Sequence, residues 1–132
     1  MPFVLDASIV LDWALEEHRA AAETARRRLT GDTALVPGLW WFEVRNGLVI
    51  AERRRRTSAD ISTSFLRQLA GFPVVIAQLP GETGLLSLAR RHNLTVYDAA
   101  YLELALREGL DLATLDAELA DAARAEGVRL VG

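Results

Sequence analysis

Two residue types are missing from this chain of 132 residues: cysteine and lysine. Without cysteine there is neither a disulfide framework nor a thiolate metal site. Without lysine, chemistry that needs an ammonium group beside a phosphate is excluded. No apolar run approaches the roughly 18 residues that a membrane-spanning helix needs. The opening MPFVLD has no basic start and meets an acid at position 6, so no signal peptide is expected and the cytoplasm is the expected compartment. A P-loop, a serine-nucleophile motif and a dinucleotide glycine fingerprint are also absent, as are internal repeats, linkers and low-complexity segments.

What is present is a globular composition. Hydrophobic residues make up 51% of the chain and charged residues 25%, which argues against disorder and for one domain over residues 1–132. The net charge of −3 alone discourages a nucleic-acid reading, but its distribution matters more. All basic residues are arginines, with clusters at Arg26-Arg27-Arg28 and Arg53-Arg54-Arg55-Arg56. Such patches bind phosphate backbones even on an acidic protein. They serve equally well as solvated helix ends that offset helix dipoles.

Short β-branched runs alternate with helical periodicity. Residues 3–5, 34–36, 74–76, 95–97, 112–114 and 129–131 read as strands. Helices are expected over 8–15, 19–29, 39 to about 54, 58–69, up to 92 after Pro80, 98–107 and 117–125. In the 39–54 segment Trp40, Val44, Leu48 and Ala51 recur at three- and four-residue steps. The alternation implies βαβ units, a mainly parallel sheet and helices on both faces. Sites in such folds form outside the carboxyl ends of the strands.

Four acids stand out against this pattern. Asp6 closes FVLD, Asp98 closes TVYD, Asp116 follows LATL, and Glu43 lies inside the apolar LWWFEV. Each aspartate taken alone is equally readable as a helix N-cap. Glu43 is harder to explain away, because an unpaired charge among apolar residues is expensive; a neutral, hydrogen-bonded glutamate is the other reading. Acids gathered at one sheet edge repel one another unless a cation neutralises them. Oxygen-only ligand sets favour Mg²⁺ or Mn²⁺, which points to metal-dependent phosphate chemistry.

Polar neighbours fit the same scheme. Ser8 and Thr114, two residues from Asp6 and Asp116, can bond the carboxylates or act as local caps. Asn46, three residues after Glu43, shares nearly its helix face and can orient it, contact a phosphate, or simply pack. Trp13, Trp40 and Trp41 are divided between the core and an interface. Tyr97 and Tyr101 flank Asp98 and are expected in the core, with Tyr101 also in reach of substrate. His18 and His92 carry no metal spacing and are expected on the surface.

The segments VLDAS, WWFEVRNGL, TVYDAAYLELA and LATLDAELADAARAEGV, in this order and spacing, resemble the PIN-domain family and more narrowly its VapC-type ribonuclease toxins. The similarity spans nearly the whole chain. It implies a three-layer α/β/α fold with a mainly parallel central sheet. By the same resemblance, Asp6, Glu43, Asp98 and Asp116 are the acidic metal-binding quartet, and Ser8, Asn46 and Thr114 the accessory polar positions. The implied activity is Mg²⁺- or Mn²⁺-dependent cleavage of structured RNA, tRNA or ribosomal RNA, by a homodimer restrained by an antitoxin protein. Arg53 to Arg56 are the candidate RNA contacts. The competing reading is an inactive PIN-like module that holds a protein or RNA partner. A flavodoxin-like phospho-acceptor domain conflicts with the missing lysine, and a haloacid-dehalogenase-like phosphatase with Ser8, where a second aspartate belongs.

Overall fold

The computed structural model describes residues 1–132. Four short strands, β1 (Phe3–Leu5), β2 (Ala34–Val36), β3 (Val74–Ile76) and β4 (Asp111–Ala113), form one parallel sheet in the order β3-β2-β1-β4. Seven helices connect and flank them: α1 (Ala7–Leu15), α2 (Ala20–Arg28), α3 (Leu39–Arg53), α4 (Ala59–Leu69), α5 (Glu82–His92), α6 (Val96–Glu108) and α7 (Ala117–Ala125). Phe3, Val4 and Leu5 are all fully buried although successive side chains point to opposite faces, so both faces of the sheet are covered. This is the expected α/β/α arrangement.

The chain runs outward from β1 through β2 to β3, then crosses back to place β4 on the other side of β1. The order therefore reverses between β1 and β4, and the crevice beyond their carboxyl ends is the topological switch point. Helix α1 packs against α2 and α3, while α6 lies against β1, β4, α5 and α7. Helices α1 and α3 meet at Gly47, where a Cβ would press on the δ-methyls of Leu11. The apolar stripe read on α3 holds, since Trp40, Val44, Leu48 and Ala51 are all buried.

Two expected strands differ. Residues 95–97 open α6 instead, because the Thr95 hydroxyl accepts the Asp98 N–H at 3.1 Å and caps the helix. That local bond outweighs the strand preference of Val96 and Tyr97. Tyr97 consequently stands 64% exposed, not in the core. Residues 129–131 form only an isolated bridge between Leu130 and Leu112, with Arg129 and Val131 bonding to the Leu112 backbone. Ser58 caps α4, accepting the Ile61 N–H at 3.2 Å.

Several charged residues are structural. Arg28 bonds Asp32 at 2.9 Å and Asp111 at 2.8 Å, with its guanidinium 4.9 Å from the Phe3 ring centre. Arg26 covers the Trp13 and Phe72 rings, so part of the first arginine cluster serves packing. His92 differs from its expected surface position. Its side chain is only 15% exposed and lies 2.5 Å from Glu126, because the last turn of α5 meets the end of α7. No helix is long and apolar enough to cross a membrane.

Candidate active site

The four acids reach the switch point from four segments. Asp6 follows β1 and immediately precedes α1, yet makes no side-chain capping bond. Its Oδ2 instead accepts the hydroxyls of Ser8 at 2.6 Å and Thr114 at 2.7 Å. Those hydroxyl oxygens in turn accept backbone N–H groups, from Leu115 at 3.0 Å and from Asp116 at 3.0 Å. The β1–α1 and β4–α7 turns are thereby laced together around a buried carboxylate. Burying it so is tolerable only because two donors meet it.

Asp116 precedes α7, and its Oδ1 accepts the Leu119 N–H at 2.9 Å. The capping reading is therefore correct for Asp116 and fails for Asp6. Asp98 does not close a strand as read. It occupies the first turn of α6, delivered to the crevice by the Thr95 cap. Glu43 lies half-buried on the second turn of α3, where the Tyr101 hydroxyl donates to Oε1 at 2.6 Å. Tyr101 is fully buried on α6, three residues after Asp98 and so on nearly the same helix face. That spacing sets Tyr101 beside Asp98 but gives no sign of its bond to Glu43, a role for which Asn46 was the candidate.

The electrostatics show that the four carboxylates feel one another. Burial raises the Asp6 carboxyl above its ordinary range; the Ser8 and Thr114 hydroxyls oppose this and the Asp116 charge adds to it. Burial likewise raises Glu43, against the Tyr101 hydroxyl and with the charges of Asp6 and Asp98. Asp98 is pushed up to about 6 by burial and by the charges of Asp116, Asp6 and Glu118. Glu118, on the first turn of α7, is an acid that the sequence reading did not single out. Tyr101 is driven well above the ordinary phenol range by burial, by the Asp6 charge and by its bond to Glu43.

The donor set is oxygen-only. Asp6 commits one oxygen to Ser8 and Thr114, and Glu43 one oxygen to Tyr101, which leaves the second oxygen of each without a side-chain donor. No three acidic or histidine side chains stand already closed into a metal-ligating group. An arrangement that is oriented but open suits Mg²⁺, which retains several waters and takes few direct carboxylates.

The remaining candidates lie along α3. Asn46 is exposed and shares an open concavity of about 640 Å³ with Leu39, Phe42, Glu43 and Tyr97. Arg53 to Arg56 are exposed at the far end of the helix. Arg54 and Arg56 line a second cleft, of about 380 Å³, that also includes Ser8 and Asp116. Arg56 is paired there with Glu17 at 2.5 Å.

Comparison with known proteins bears on the family and the fold. The PIN domain profile matches residues 3–125. Ribonuclease VapC3 of Pyrobaculum aerophilum is 33% identical over 127 residues, covering 92% of this chain and 94% of that protein. Among solved structures, a protein of Pyrobaculum aerophilum superposes with a TM-score of 0.72 at 26% identity, covering 99% of this chain and 84% of its own. A toxin–antitoxin complex from Klebsiella pneumoniae gives a TM-score of 0.56 at 20% identity, covering 83% and 82%, and bears on the fold alone. The profile match over nearly the whole chain and the extent of the identity to Ribonuclease VapC3 show that this chain belongs to the PIN-domain family.

Proposed function

We propose that this protein is a metal-dependent endoribonuclease, the toxin of a toxin–antitoxin pair. The observation that carries the reading is that Asp6, Glu43, Asp98 and Asp116 lie close enough for their charges to act on one another, with three of the four raised above their ordinary range. Like charges held together by packing and hydroxyl donors are costly without a cation. These four residues would hold Mg²⁺ or Mn²⁺. When bound, the ion supplies charge neutralisation and Lewis-acid stabilisation for a phosphodiester and its leaving oxygen.

The chain's own residues do the holding. Ser8 and Thr114 fix the Asp6 carboxylate, and Tyr101 fixes that of Glu43. Arg54 and Arg56 sit on a cleft continuous with Ser8 and Asp116, where guanidinium groups suit the phosphates of an RNA strand. The similarity to Ribonuclease VapC3 supports RNA as the substrate class. An antitoxin protein and a second copy of the chain are the proposed protein partners.

The test is cleavage of end-labelled total tRNA and ribosomal RNA with Mg²⁺ or Mn²⁺, using protein freed of any co-purifying partner. Discrete fragments from the wild type are expected, abolished by chelator and by Asp98→Asn or Asp6→Asn. Equal cleavage by wild type and variants would remove the site assignment. No cleavage and no Mn²⁺ binding by calorimetry would favour a binding-only module.

A further inference from the structure

The family assignment leaves unexplained a pair of exposed aromatic rings beside the acids. Phe42 is 69% exposed and Tyr97 is 64% exposed, each immediately before one of the four carboxylates, Glu43 and Asp98. The two rings share the concavity that includes Glu43 and the exposed amide of Asn46. Neither ring serves the core, and large apolar groups left together on a concave surface mark a binding site. Trp41 carries the Arg45 guanidinium over its ring at 3.6 Å and meets Phe42 edge-on at 5.1 Å.

We propose that Phe42 and Tyr97 form a stacking platform for one unpaired nucleobase of the RNA substrate, beside the scissile phosphate, with Asn46 facing the base edge. This rests on the ribonuclease reading and adds to it where the substrate is gripped. A nucleobase matches what the concavity offers. Its π-face suits two aromatic rings, its polar rim suits an amide, and its attached phosphate lies next to the acids. A second protein copy would bury the same aromatics, and sedimentation of the variants below separates that case from a stacked base. A base that stacks here cannot remain paired in a duplex. Cleavage is therefore confined to loops, bulges or single-stranded segments.

The experiment uses a short single-stranded oligoribonucleotide with 2-aminopurine at successive positions, and a second oligoribonucleotide abasic at the position that responds. Binding is measured on the full-length non-cleaving Asp98→Asn protein, alone and combined with Tyr97→Ala, Tyr97→Trp or Phe42→Ala. One labelled position should show stacking-induced quenching. Tyr97→Ala should weaken binding roughly tenfold and Tyr97→Trp should restore it, as expected for loss and recovery of a stacked base. Against the abasic RNA, the parent and Tyr97→Ala should bind alike. In the active background, Tyr97→Ala should lower kcat/KM about tenfold on RNA carrying the base and leave it unchanged on the abasic RNA.

Unchanged affinity in Tyr97→Ala, or an equal loss toward abasic RNA, would overturn the platform. So would sedimentation showing that Tyr97→Ala or Phe42→Ala separates a dimer into monomers, since the face would then be a contact between copies. Failure of this proposal alone leaves metal-dependent cleavage by the wild type intact. Failure of the ribonuclease reading removes that cleavage and RNA binding together, and the platform falls with it.

Discussion

If the acids are held together against their mutual repulsion, removing one charge should stabilise the metal-free protein. Asp98 is the clearest case. Its carboxyl is raised from 3.8 to about 6, by burial first and then by Asp116, Asp6 and Glu118. At ~1.36 kcal/mol per pH unit this amounts to about 3 kcal/mol against ionisation at full value. Asp98 is only half-buried, so solvent screening cuts the figure to about 1 kcal/mol. Its favourable place in the first turn of α6 offsets no more than about 0.5 kcal/mol and is already felt by the raised carboxyl. Asp98→Asn should therefore raise the melting temperature in chelator by about 3 °C once the pH is well above 6. The folded value lies above the unfolded one, so the wild-type carboxyl costs nothing below 3.8, where it is protonated in both states. The cost grows as pH rises from 3.8 to about 6 and then stays constant, so the variant's advantage should follow that course. Adding Mn²⁺ should reverse the order, because the wild type gains more from binding than the variant does. A variant less stable than wild type in chelator at high pH would refute the reasoning. So would an advantage that does not change with pH.

Three further predictions test the surrounding structure. Tyr101→Phe keeps the buried ring and removes the donor to Glu43; it should cost about 1 kcal/mol of stability yet lower kcat about tenfold, read by urea unfolding beside single-turnover cleavage. Gly47→Val forces a branched side chain into Leu11 at the α1–α3 contact; urea unfolding should show a loss of about 2 kcal/mol, and a neutral result would mean that the Leu11 side chain swings aside. At the opposite end of the sheet, burial would raise the Asp111 carboxyl but hydrogen bonds from Arg28 and Arg129 hold it below its ordinary value, while the chain terminus and Arg28 do the same for Asp32. Stability from these two is fully present above about 4 and lost as pH falls through their lowered values, so Arg28→Met should flatten the acid limb of stability against pH.

Much of this architecture was legible because it rests on local rules. The α3 stripe of Trp40, Val44, Leu48 and Ala51 follows helical period, and all four are buried. The four strands of the sheet were each marked by a short apolar or β-branched run. Residues 95–97 misled because Val96 and Tyr97 favour strands in isolation, while one hydroxyl, that of Thr95, decides for a helix. The periodicity gave no warning there, since α6 is buried on nearly every side from Ala99 to Ala105 and shows no clean polar face. His92 misled for a different reason: its polar surroundings in sequence conceal Glu126, 34 residues away.

The candidate site divides along the same line. Acids at βα turns can be picked out one by one, and Ser8 sits near enough to Asp6 for a local bond to be foreseen. The contacts that make the acids into a site are not local. Thr114 reaches Asp6 across 108 residues and Tyr101 reaches Glu43 across 58, and no spacing rule connects either pair. Both depend on strand order: β4 must return beside β1 for Thr114 to meet Asp6, and α6 must pack on those two strands for Tyr101 to face α3. The switch point thus acts twice. It opens the crevice in which carboxylates can gather, and it supplies from neighbouring elements the hydroxyls that make such a gathering tolerable. A substitution that weakens the β1–β4 pairing should therefore impair cleavage together with stability, because the same pairing centres the core and brings Thr114 to Asp6.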